Sequence, residues 1–217
     1  MKPVQRLPRW FQKWMGAYIP PRKSAQEFYL TFDDGPSSIT SDLLDLIEGF
    51  GYTASFFWLW SKFEEHHTPS IISRLKRGGH TVGIHGLSHI SPWRIGRENC
   101  ISTLNQALNL WERLDVPLVP FYRPPYGHAL YWQNVTLTSE KALRLRLVFW
   151  DLMPADYLVG VNWVNELINS LRPGDIVVMH ERKNNLRLLQ NCLTCAFAAG
   201  WKATALEAVE AVVSQKA

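Results

Sequence analysis

The stretch YLTFDDGP, residues 29–36, decides how the rest of the chain is interpreted. It opens with alternating apolar residues, which predicts a strand with one buried face, and it is stopped by Gly-Pro, a dipeptide that ends regular structure. Asp33 and Asp34 therefore sit at the end of a strand, where the chain turns and two adjacent carboxylates can converge on one site with different roles. Asp-Asp-Gly-Pro is also ordinary turn chemistry, with an aspartate capping a following helix, so this stretch alone leaves both interpretations open.

The composition predicts one soluble globular domain with a sizeable core. The chain has 217 residues, of which 47% are hydrophobic and 19% are charged, values that suit a folded domain rather than a disordered or fibrous chain. Its net charge of +4 comes without a lysine- or arginine-rich run interleaved with aromatics, so we expect no nucleic-acid partner. The oligomeric state stays open.

The cysteines do not form a metal or disulfide framework. Cys192 and Cys195 form a lone Cys-x-x-Cys in a stretch of helical character, and the remaining cysteine, Cys100, does not supply a second pair. A structural zinc site needs about four ligands. We expect ordinary buried thiols, which suit a reducing compartment.

Residues 1–26 form a basic, aromatic N-terminal arm. No apolar run here reaches the about 7–15 residues of a signal-peptide core, and none in the chain reaches the roughly 20 that span a bilayer. We therefore expect a cytoplasmic protein. If residues 6–18 are helical, one face carries Trp10, Phe11 and Trp14 beside basic residues, which would allow peripheral membrane contact. The alternative, which we favour, is that the tryptophans pack on the domain.

Strand and helix patterns alternate over residues 27–217, which we assign to one domain. The strand candidates are 28–32, 53–58, 81–84, 121–123, 147–150, 175–179 and a weaker 201–203. The helical candidates are 40–50, 69–77, 97–114, 139–145, 161–171, 184–199 and 206–213. This alternation predicts an α/β fold with a mostly parallel sheet and helices outside it.

Polar side chains that can take part in catalysis or metal binding follow the predicted strands. They are Asp33, Asp34, His85, Arg123, Asp151 and His180. Parallel α/β folds place their active sites at the carboxyl ends of the strands. Core polar residues scattered at random would not favour one end, so the distribution indicates a functional site.

His85 and His89 are spaced four residues apart. In a helical turn this spacing places two imidazoles on one face within reach of one metal ion. A carboxylate from the Asp33-Asp34 pair would complete a three-ligand set with open positions, as in catalytic rather than structural sites. Surface helices also carry such histidine pairs by chance, but this one follows a buried strand.

The segment FYRPPYG, residues 121–127, predicts a rigid loop. Its two prolines fix their own φ angles and restrict the residues before them. The backbone around Tyr126 is therefore held in a set shape at low entropic cost. Such a loop can direct a backbone N–H at a developing oxyanion.

Taken in order, the motifs are TFDDGP, His-x-x-x-His, Arg-Pro-Pro-Tyr-Gly, a Trp-Asp…Asp-Tyr segment and Val-Met-His. Together they resemble the NodB-homology polysaccharide deacetylases, carbohydrate esterase family 4, over about residues 27–205. The resemblance implies a distorted (β/α) barrel, often with seven strands. It also implies metal-dependent removal of N-acetyl groups from a sugar or a glycan such as peptidoglycan or chitin.

The resemblance implies a role for each motif residue. It makes Asp33 the general base and His180 the general acid, and it gives the metal three ligands: Asp34, His85 and His89. Because one carboxylate and two imidazoles form that set, we expect a divalent ion, zinc first, with cobalt or nickel able to replace it.

The supporting residues follow from the same resemblance. Arg123 holds an active-site carboxylate, Asp156 orients the acid, and the Tyr126 N–H meets the oxyanion; which carboxylate Arg123 and Asp156 each serve stays open. The substrate pocket is expected to include Pro125, Tyr126, Tyr157 and Val178.

Three positions depart from the family pattern. Gly86 replaces the usual Ser or Thr, Tyr157 replaces the commoner Trp, and Val178 replaces Leu. These changes affect the support of the metal and the shape of the pocket rather than the chemistry.

Two alternative functions stay open. One is another metal-dependent amide hydrolase on the same fold, acting on a lipid-linked N-acyl sugar or a small cyclic amide. The other is a non-catalytic relative that binds a glycan or a partner.

Overall fold

The computed structural model describes residues 3–129, 145–158 and 160–207. Strands and helices alternate along most of this chain, as the sequence predicts. The helices predicted near 139–145 and 206–213 lie, apart from their boundary residues, outside the described residues.

The strands are β1 (Val4–Arg6), β2 (Glu27–Gly35), β3 (Ser55–Leu59), β4 (Thr81–Gly86), β5 (Leu118–Tyr122), β6 (Arg146–Leu147), β7 (Leu152–Pro154), β8 (Ile176–His180) and β9 (Lys202–Thr204). The helices are α1 (Arg9–Trp14), α2 (Thr40–Gly49), α3 (Trp60–His66), α4 (Pro69–Gly78), α5 (Pro92–Trp111), α6 (Val164–Ser170) and α7 (Leu186–Ala198). Short 3-10 turns occupy Pro125–Gly127 and Lys183–Asn185.

The strands form one curled sheet in the order β1-β7-β8-β2-β3-β4-β5-β6, and β9 pairs with the start of β2. Every pairing is parallel except that of β1 with β7. β6 and β7 are separated only by residues 148–151. With these two taken as one interrupted strand and β1 set aside, seven parallel strands remain among the described residues. The predicted distorted (β/α) barrel is therefore confirmed.

The predicted strand 147–150 is wrong in its second half, because this segment changes partners. The Val148 N–H donates to the Tyr122 carbonyl at 2.9 Å, on one side of the barrel, and the Asp151 N–H donates to the Ile176 carbonyl at 2.8 Å, on the other. Between them, the Phe149 carbonyl accepts a hydrogen bond from the Arg123 side chain at 2.9 Å. A side chain thus replaces strand pairing where the sheet closes.

The central strands are buried on both faces, as expected for a parallel sheet covered by helices. All five residues of β3 are buried, including Phe56, Phe57 and Trp58, which have no exposed surface. A smaller cluster fills the barrel interior around Phe57 and Phe121. Burying each such aromatic side chain contributes about 1.5–3 kcal/mol, so the strand ends are held in fixed positions.

Local signals set the helix ends. Thr68 caps α4 by accepting a hydrogen bond from the Ile71 N–H at 3.3 Å, and Ser91 caps α5 in the same way, each followed by a proline in the first turn. The Ser-Pro signal starts α5 at Pro92, but Gly96, with a φ of 74° and a ψ of 172°, breaks the helix, and the part after this break begins at residue 97 as predicted. The sequence analysis missed β1 and α3, which are too short to show a clear period.

The N-terminal arm is tied to the barrel by ion pairs. Arg6 and Arg22 both contact Asp175, with Nη–Oδ distances of 2.7 and 2.6 Å, and Arg9 contacts Asp151 at 2.8 Å. Both aspartates have almost no exposed side chain, so the arm supplies the counter-charges of buried carboxylates. The boundary at residue 26 stays a prediction.

The favoured prediction for the arm tryptophans is wrong. Trp10 is 71% exposed and Trp14 is 63% exposed. α1 docks through Gln12, which is buried, and through Phe11, whose ring lies 6.2 Å from that of Phe149. No helix within the described residues is long and apolar enough to cross a membrane.

The two cysteines of the Cys-x-x-Cys motif differ in exposure. Cys192 is buried in α7, as expected, and burial raises the pKa of its thiol to about 12. Cys195, one turn further on, is exposed, so the prediction of buried thiols holds for only one member of the Cys-x-x-Cys.

Candidate active site

Eight of the predicted site residues line one cavity at the carboxyl ends of the strands. Its volume is about 410 Å³. The predicted residues that line it are Asp33, Asp34, His85, His89, Tyr126, Tyr157, Val178 and His180. Pro125 is buried and borders a neighbouring cavity behind the histidine loop instead.

A break in strand register lets the two adjacent aspartates face the same cavity. The pairing of β2 with β3 shifts between Asp33 and Gly35, and Asp34 has a φ of 71°, in the left-handed region. Side chains of an uninterrupted strand alternate between faces. The bulge turns the carboxylate of Asp34 back toward the site, as bulges near active sites often do.

Asp34, His85 and His89 form a compact ligand set. The Asp34 Oδ1 atom lies 3.4 Å from the His85 Nε2 atom and 3.2 Å from the His89 Nε2 atom. One ligand atom from each residue lies within 4.8 Å of the others. Burial alone would raise the pKa of the Asp34 carboxyl, but the neighbouring imidazoles lower it well below its usual range. The carboxylate is therefore ionised, as a metal ligand must be.

The donor set fits a divalent cation. Asp34 Oδ1 is buried and accepts no hydrogen bond among the described residues, although two imidazole nitrogens face it. The Nδ1 atom of His85 lies 2.8 Å from the Arg123 carbonyl oxygen, which can only accept, so Nδ1 carries a proton and Nε2 is the nitrogen left to bind a cation. A buried carboxylate oxygen without a donor costs free energy unless a cation satisfies it.

The histidines converge, but not on a helix as predicted. His85 lies on β4 and His89 in the turn that follows, with ring centroids 5.3 Å apart. Gly86 between them has a φ of 127°, which side chains rarely adopt, and a Cβ atom there would lie 3.3 Å from the Ser88 carbonyl oxygen. The departure from Ser or Thr at this position therefore coincides with a backbone that requires glycine.

Arg123 serves Asp33. Its guanidinium is fully buried and donates to the Asp33 Oδ1 atom at 2.7 Å and to the Thr31 hydroxyl at 2.8 Å. It also lies 4.0 Å above the Phe57 ring. An arginine held by this many contacts keeps one carboxylate oxygen of Asp33 fixed and charge-compensated.

Asp156 serves His180, which lies next to Asp33 in the sheet. Asp33 and His180 are register partners on β2 and β8. The Asp156 Oδ1 atom is 2.9 Å from the His180 Nδ1 atom, and its Oδ2 atom accepts the His180 backbone N–H at 2.7 Å. Burial lowers the pKa of His180, but the Asp156 carboxylate more than reverses this, so the pKa is raised. The imidazole is thus held with a proton on Nδ1 and favours its charged form.

Tyr126 occupies a strained position at the cavity rim. Its φ is 62°, which is uncommon for a residue with a side chain, and Gly127 follows with a φ of 66°. Within the described part of the chain, no hydrogen bond engages the Tyr126 N–H. The ring lies 4.3 Å from that of His89 and is 61% exposed. This backbone can direct its N–H toward a group in the cavity.

Glu181 was not predicted as a site residue. Its buried carboxylate accepts hydrogen bonds from Ser37 Oγ at 3.1 Å, Thr40 Oγ1 at 2.6 Å and Trp58 Nε1 at 2.7 Å. A Cβ atom on Gly35 would overlap it, so it fills the space beneath the Asp-Asp-Gly-Pro turn. Burial raises its pKa. The sequence signal that could have identified it is an acidic residue directly after His180, the histidine that ends β8.

Other cavity residues were also missed. They are Gly127, His128, Trp150, Met153 and Arg182. Trp150 and Met153 follow the point where the sheet closes, and the position of that closure depends on pairing that the sequence does not reveal.

Fold and site together define a parallel α/β barrel with a candidate metal-hydrolase centre at the carboxyl ends of its strands. The sequence model of the polysaccharide deacetylase family matches residues 21–148, which is more than half of the chain. The chain belongs to this family, and the resemblance carried by its motifs is confirmed.

Individual relatives agree with this assignment. The chain is 31% identical to a chitooligosaccharide deacetylase of Sinorhizobium fredii over 165 residues, which cover 72% of this chain and 73% of the relative. It is 28% identical to a peptidoglycan-N-acetylglucosamine deacetylase of Bacillus cereus over 174 residues, covering 79% of this chain but only 61% of that protein. A solved peptidoglycan N-acetylglucosamine deacetylase shares the fold, with a TM-score of 0.77, 23% identity, and 92% and 95% of the two chains covered.

Proposed function

We propose that this protein is a metal-dependent hydrolase that removes N-acetyl groups from an N-acetylated sugar or glycan. The observation that carries the proposal is the presence, in one cavity, of a three-residue ligand set between two differently supported groups. Asp33 is held by the guanidinium of Arg123, and His180 is held by the carboxylate of Asp156. Environments that favour one ionised base and one protonated acid are what hydrolysis of an amide requires.

Asp34, His85 and His89 would hold the metal ion. We propose zinc, with cobalt or nickel as replacements, because imidazole and carboxylate ligands suit these borderline ions. When bound, such an ion polarises a carbonyl group and lowers the pKa of a water molecule. His85 can bind through Nε2 because its Nδ1–H donates to the Arg123 carbonyl, and burial lowers the pKa of His89, which favours the neutral form that a ligand needs.

Asp33 acts as the general base in this proposal. Arg123 binds its Oδ1 atom, which holds the carboxylate in place at the wall of the cavity. As water attacks the acyl carbon, Asp33 accepts a proton from it. The Tyr126 N–H, held by its strained backbone, donates to the oxygen that gains negative charge.

His180 acts as the general acid. An amine is a poor leaving group until its nitrogen is protonated, and the raised pKa of His180 keeps a proton available near neutral pH. The proton moves from the imidazole to the sugar nitrogen as the C–N bond breaks. The products are acetate and a free amino sugar. Tyr157 and Val178, which line the cavity, would bound the acetyl group.

The substrate proposal rests on the names of the relatives, which refer to peptidoglycan N-acetylglucosamine and chitooligosaccharides. A lipid-linked N-acyl sugar or a small cyclic amide remains the alternative for the same chemistry. The non-catalytic alternative is opposed by the retention of the base, the three ligands and the acid in one cavity.

Acetate release tests the proposal. Purified protein loaded with zinc should release acetate from at least one of chito-oligosaccharides, peptidoglycan fragments or small N-acyl sugars. Chelation should abolish the release and added zinc should restore it. The matched control is Asp33→Asn, which should bind zinc without releasing acetate. A fully metal-loaded protein that releases acetate from none of these substrates would contradict the proposal.

We also propose that the arm contacts a membrane surface through Trp10. Its 71% exposure, and the 63% exposure of Trp14 on the same helix, support this. Binding to anionic vesicles should be weaker for Trp10→Ser than for the wild-type protein, and equal binding of the two would contradict this proposal.

The cytoplasmic location stays a prediction, which cell fractionation tests.

A further inference from the structure

A second cavity adjoins the active-site cavity. Its volume is about 350 Å³, and it shares Tyr157 and Arg182 with the active site. Asp156, whose carboxylate supports His180, lies on its wall. Because the two cavities share these side chains, a substituent on a sugar held against His180 can extend past Tyr157 into the second cavity.

The charges in this second cavity are unbalanced. Arg182 and Lys183 both line it, and the only carboxylate among its described lining residues is that of Asp156. Both oxygens of Asp156 are already engaged by the ring and the backbone of His180. Its negative charge is therefore paired with the imidazolium and does not compensate the two cations.

Among the described residues, Arg182 makes only a long ion pair and Lys183 has no acidic partner. The Arg182 Nη2 atom is 3.9 Å from Asp34 Oδ2, beyond hydrogen-bond distance, and no carboxylate pairs with Lys183 within residues 3–129, 145–158 and 160–207. Exposed lysines and arginines usually serve only as a hydrated surface. These two differ because they line a cavity that shares Tyr157 and Arg182 with the active site, so their field acts on a substrate bound there.

Two asparagines complete the polar lining. Asn184 and Asn185 line the same wall, and Asn185 is fixed because its side-chain amide donates to the Asp156 carbonyl. The two cations match the oxygens of a phosphate or carboxylate better than the hydroxyls of a neutral sugar, which also need acceptors. Arginine in particular binds such oxyanions in a bidentate manner.

We propose that the preferred substrate is an N-acyl amino sugar that carries an anionic oxyacid group, a phosphate or a carboxylate, and that this group binds between Arg182 and Lys183. The inference rests on the proposed deacetylase function and adds a substrate class to it. Phosphate and carboxylate share the required chemistry, and separate substrates distinguish them.

The test compares matched sugars. Zinc-loaded protein is assayed with N-acetylglucosamine, N-acetylglucosamine 1-phosphate, N-acetylglucosamine 6-phosphate and N-acetylmuramic acid. The variant is the double substitution Arg182→Gln and Lys183→Gln. The control is Lys202→Gln, which removes one positive charge from β9, at the opposite end of β2 from the aspartate pair. The measured quantity is the ratio of kcat/KM for each charged sugar to that for the neutral one.

Wild-type protein should prefer at least one charged sugar by about 10-fold or more, the value expected for one charge-assisted contact. The double variant should lose that preference and Lys202→Gln should retain it. The preferred sugar identifies phosphate or carboxylate as the group. A wild-type ratio near one for all charged sugars, or a preference that survives in the double variant, overturns the inference.

A binding measurement separates this inference from the proposed function. Calorimetry on the Asp33→Asn protein with the same sugars does not depend on turnover. If no sugar releases acetate, the proposed function fails. The anion subsite is still supported if charged sugars bind more tightly than neutral ones and if this preference requires Arg182 and Lys183. Equal binding, or a preference for charged sugars that is unchanged in the double variant, excludes the subsite.

Discussion

Replacing Asp156 by asparagine should show whether His180 is the acid. Asp156 accepts two hydrogen bonds from His180, one from the ring at 2.9 Å and one from the backbone at 2.7 Å. An asparagine has one acceptor oxygen and one donor NH₂ group. If its oxygen keeps the backbone bond, the NH₂ group faces Nδ1 and stabilises a neutral ring that lacks a proton there.

The size of the effect follows from that loss. A hydrogen bond to a charged group contributes about 1.5–3 kcal/mol, and about 1.4 kcal/mol corresponds to tenfold in rate. We therefore expect Asp156→Asn to lower kcat on the order of 10- to 100-fold near pH 7. Because the carboxylate is what raises the pKa of His180, the alkaline limb of the kcat profile should move to lower pH.

Stability should change with pH in a defined direction. A histidine with a raised folded-state pKa contributes stability that is present below its unfolded pKa and is lost as pH rises through the folded pKa. The difference in unfolding free energy between wild type and Asp156→Asn should thus be larger in mild acid than above the folded pKa. Urea denaturation and pH–rate profiles of the zinc-loaded proteins measure both effects. An alkaline limb that does not move in the variant would refute the assignment of Asp156.

Three further predictions concern the ligand set and its support. Asp33→Asn should keep stoichiometric zinc while losing turnover, whereas Asp34→Ala should lose zinc; metal analysis of both separates the roles, and equal loss would contradict them. Glu181→Ala should lower the free energy of unfolding by about 1–3 kcal/mol for each buried donor left unpaired, and Glu181→Gln by less, because glutamine keeps one acceptor; equal denaturation midpoints for all three proteins would refute this. Gly86→Ser should weaken zinc binding in a chelator competition, because serine disfavours the φ of 127° between the histidines; unchanged affinity would show that the turn adapts.

Much of the site was predictable because its residues mark strand ends. The strand around Phe32 is recognisable from its alternation and its Gly-Pro stop, and the same logic located His85 and His180. Helices with capping signals, such as the one that begins at Pro69, were also placed correctly. These features depend on local sequence, where periodicity and turn chemistry act directly.

What could not be predicted depends on contacts between distant residues. Arg6 and Asp175 are 169 positions apart, so nothing local shows that the arm neutralises a buried aspartate. The partner change at Phe149 and the role of Glu181 beneath the Gly35 turn likewise require the closed barrel. The histidine spacing fitted a helix as well as a strand and turn, and only the backbone at Gly86 decides between them.

The most direct test of catalysis is the His180→Ala protein, assayed on whichever substrate releases acetate. The proposed mechanism predicts a loss of turnover on the order of 10²–10⁴, with zinc content and the native fold retained, because His180 is not among the three metal ligands. Turnover close to that of wild type would remove the proposed acid and contradict the mechanism.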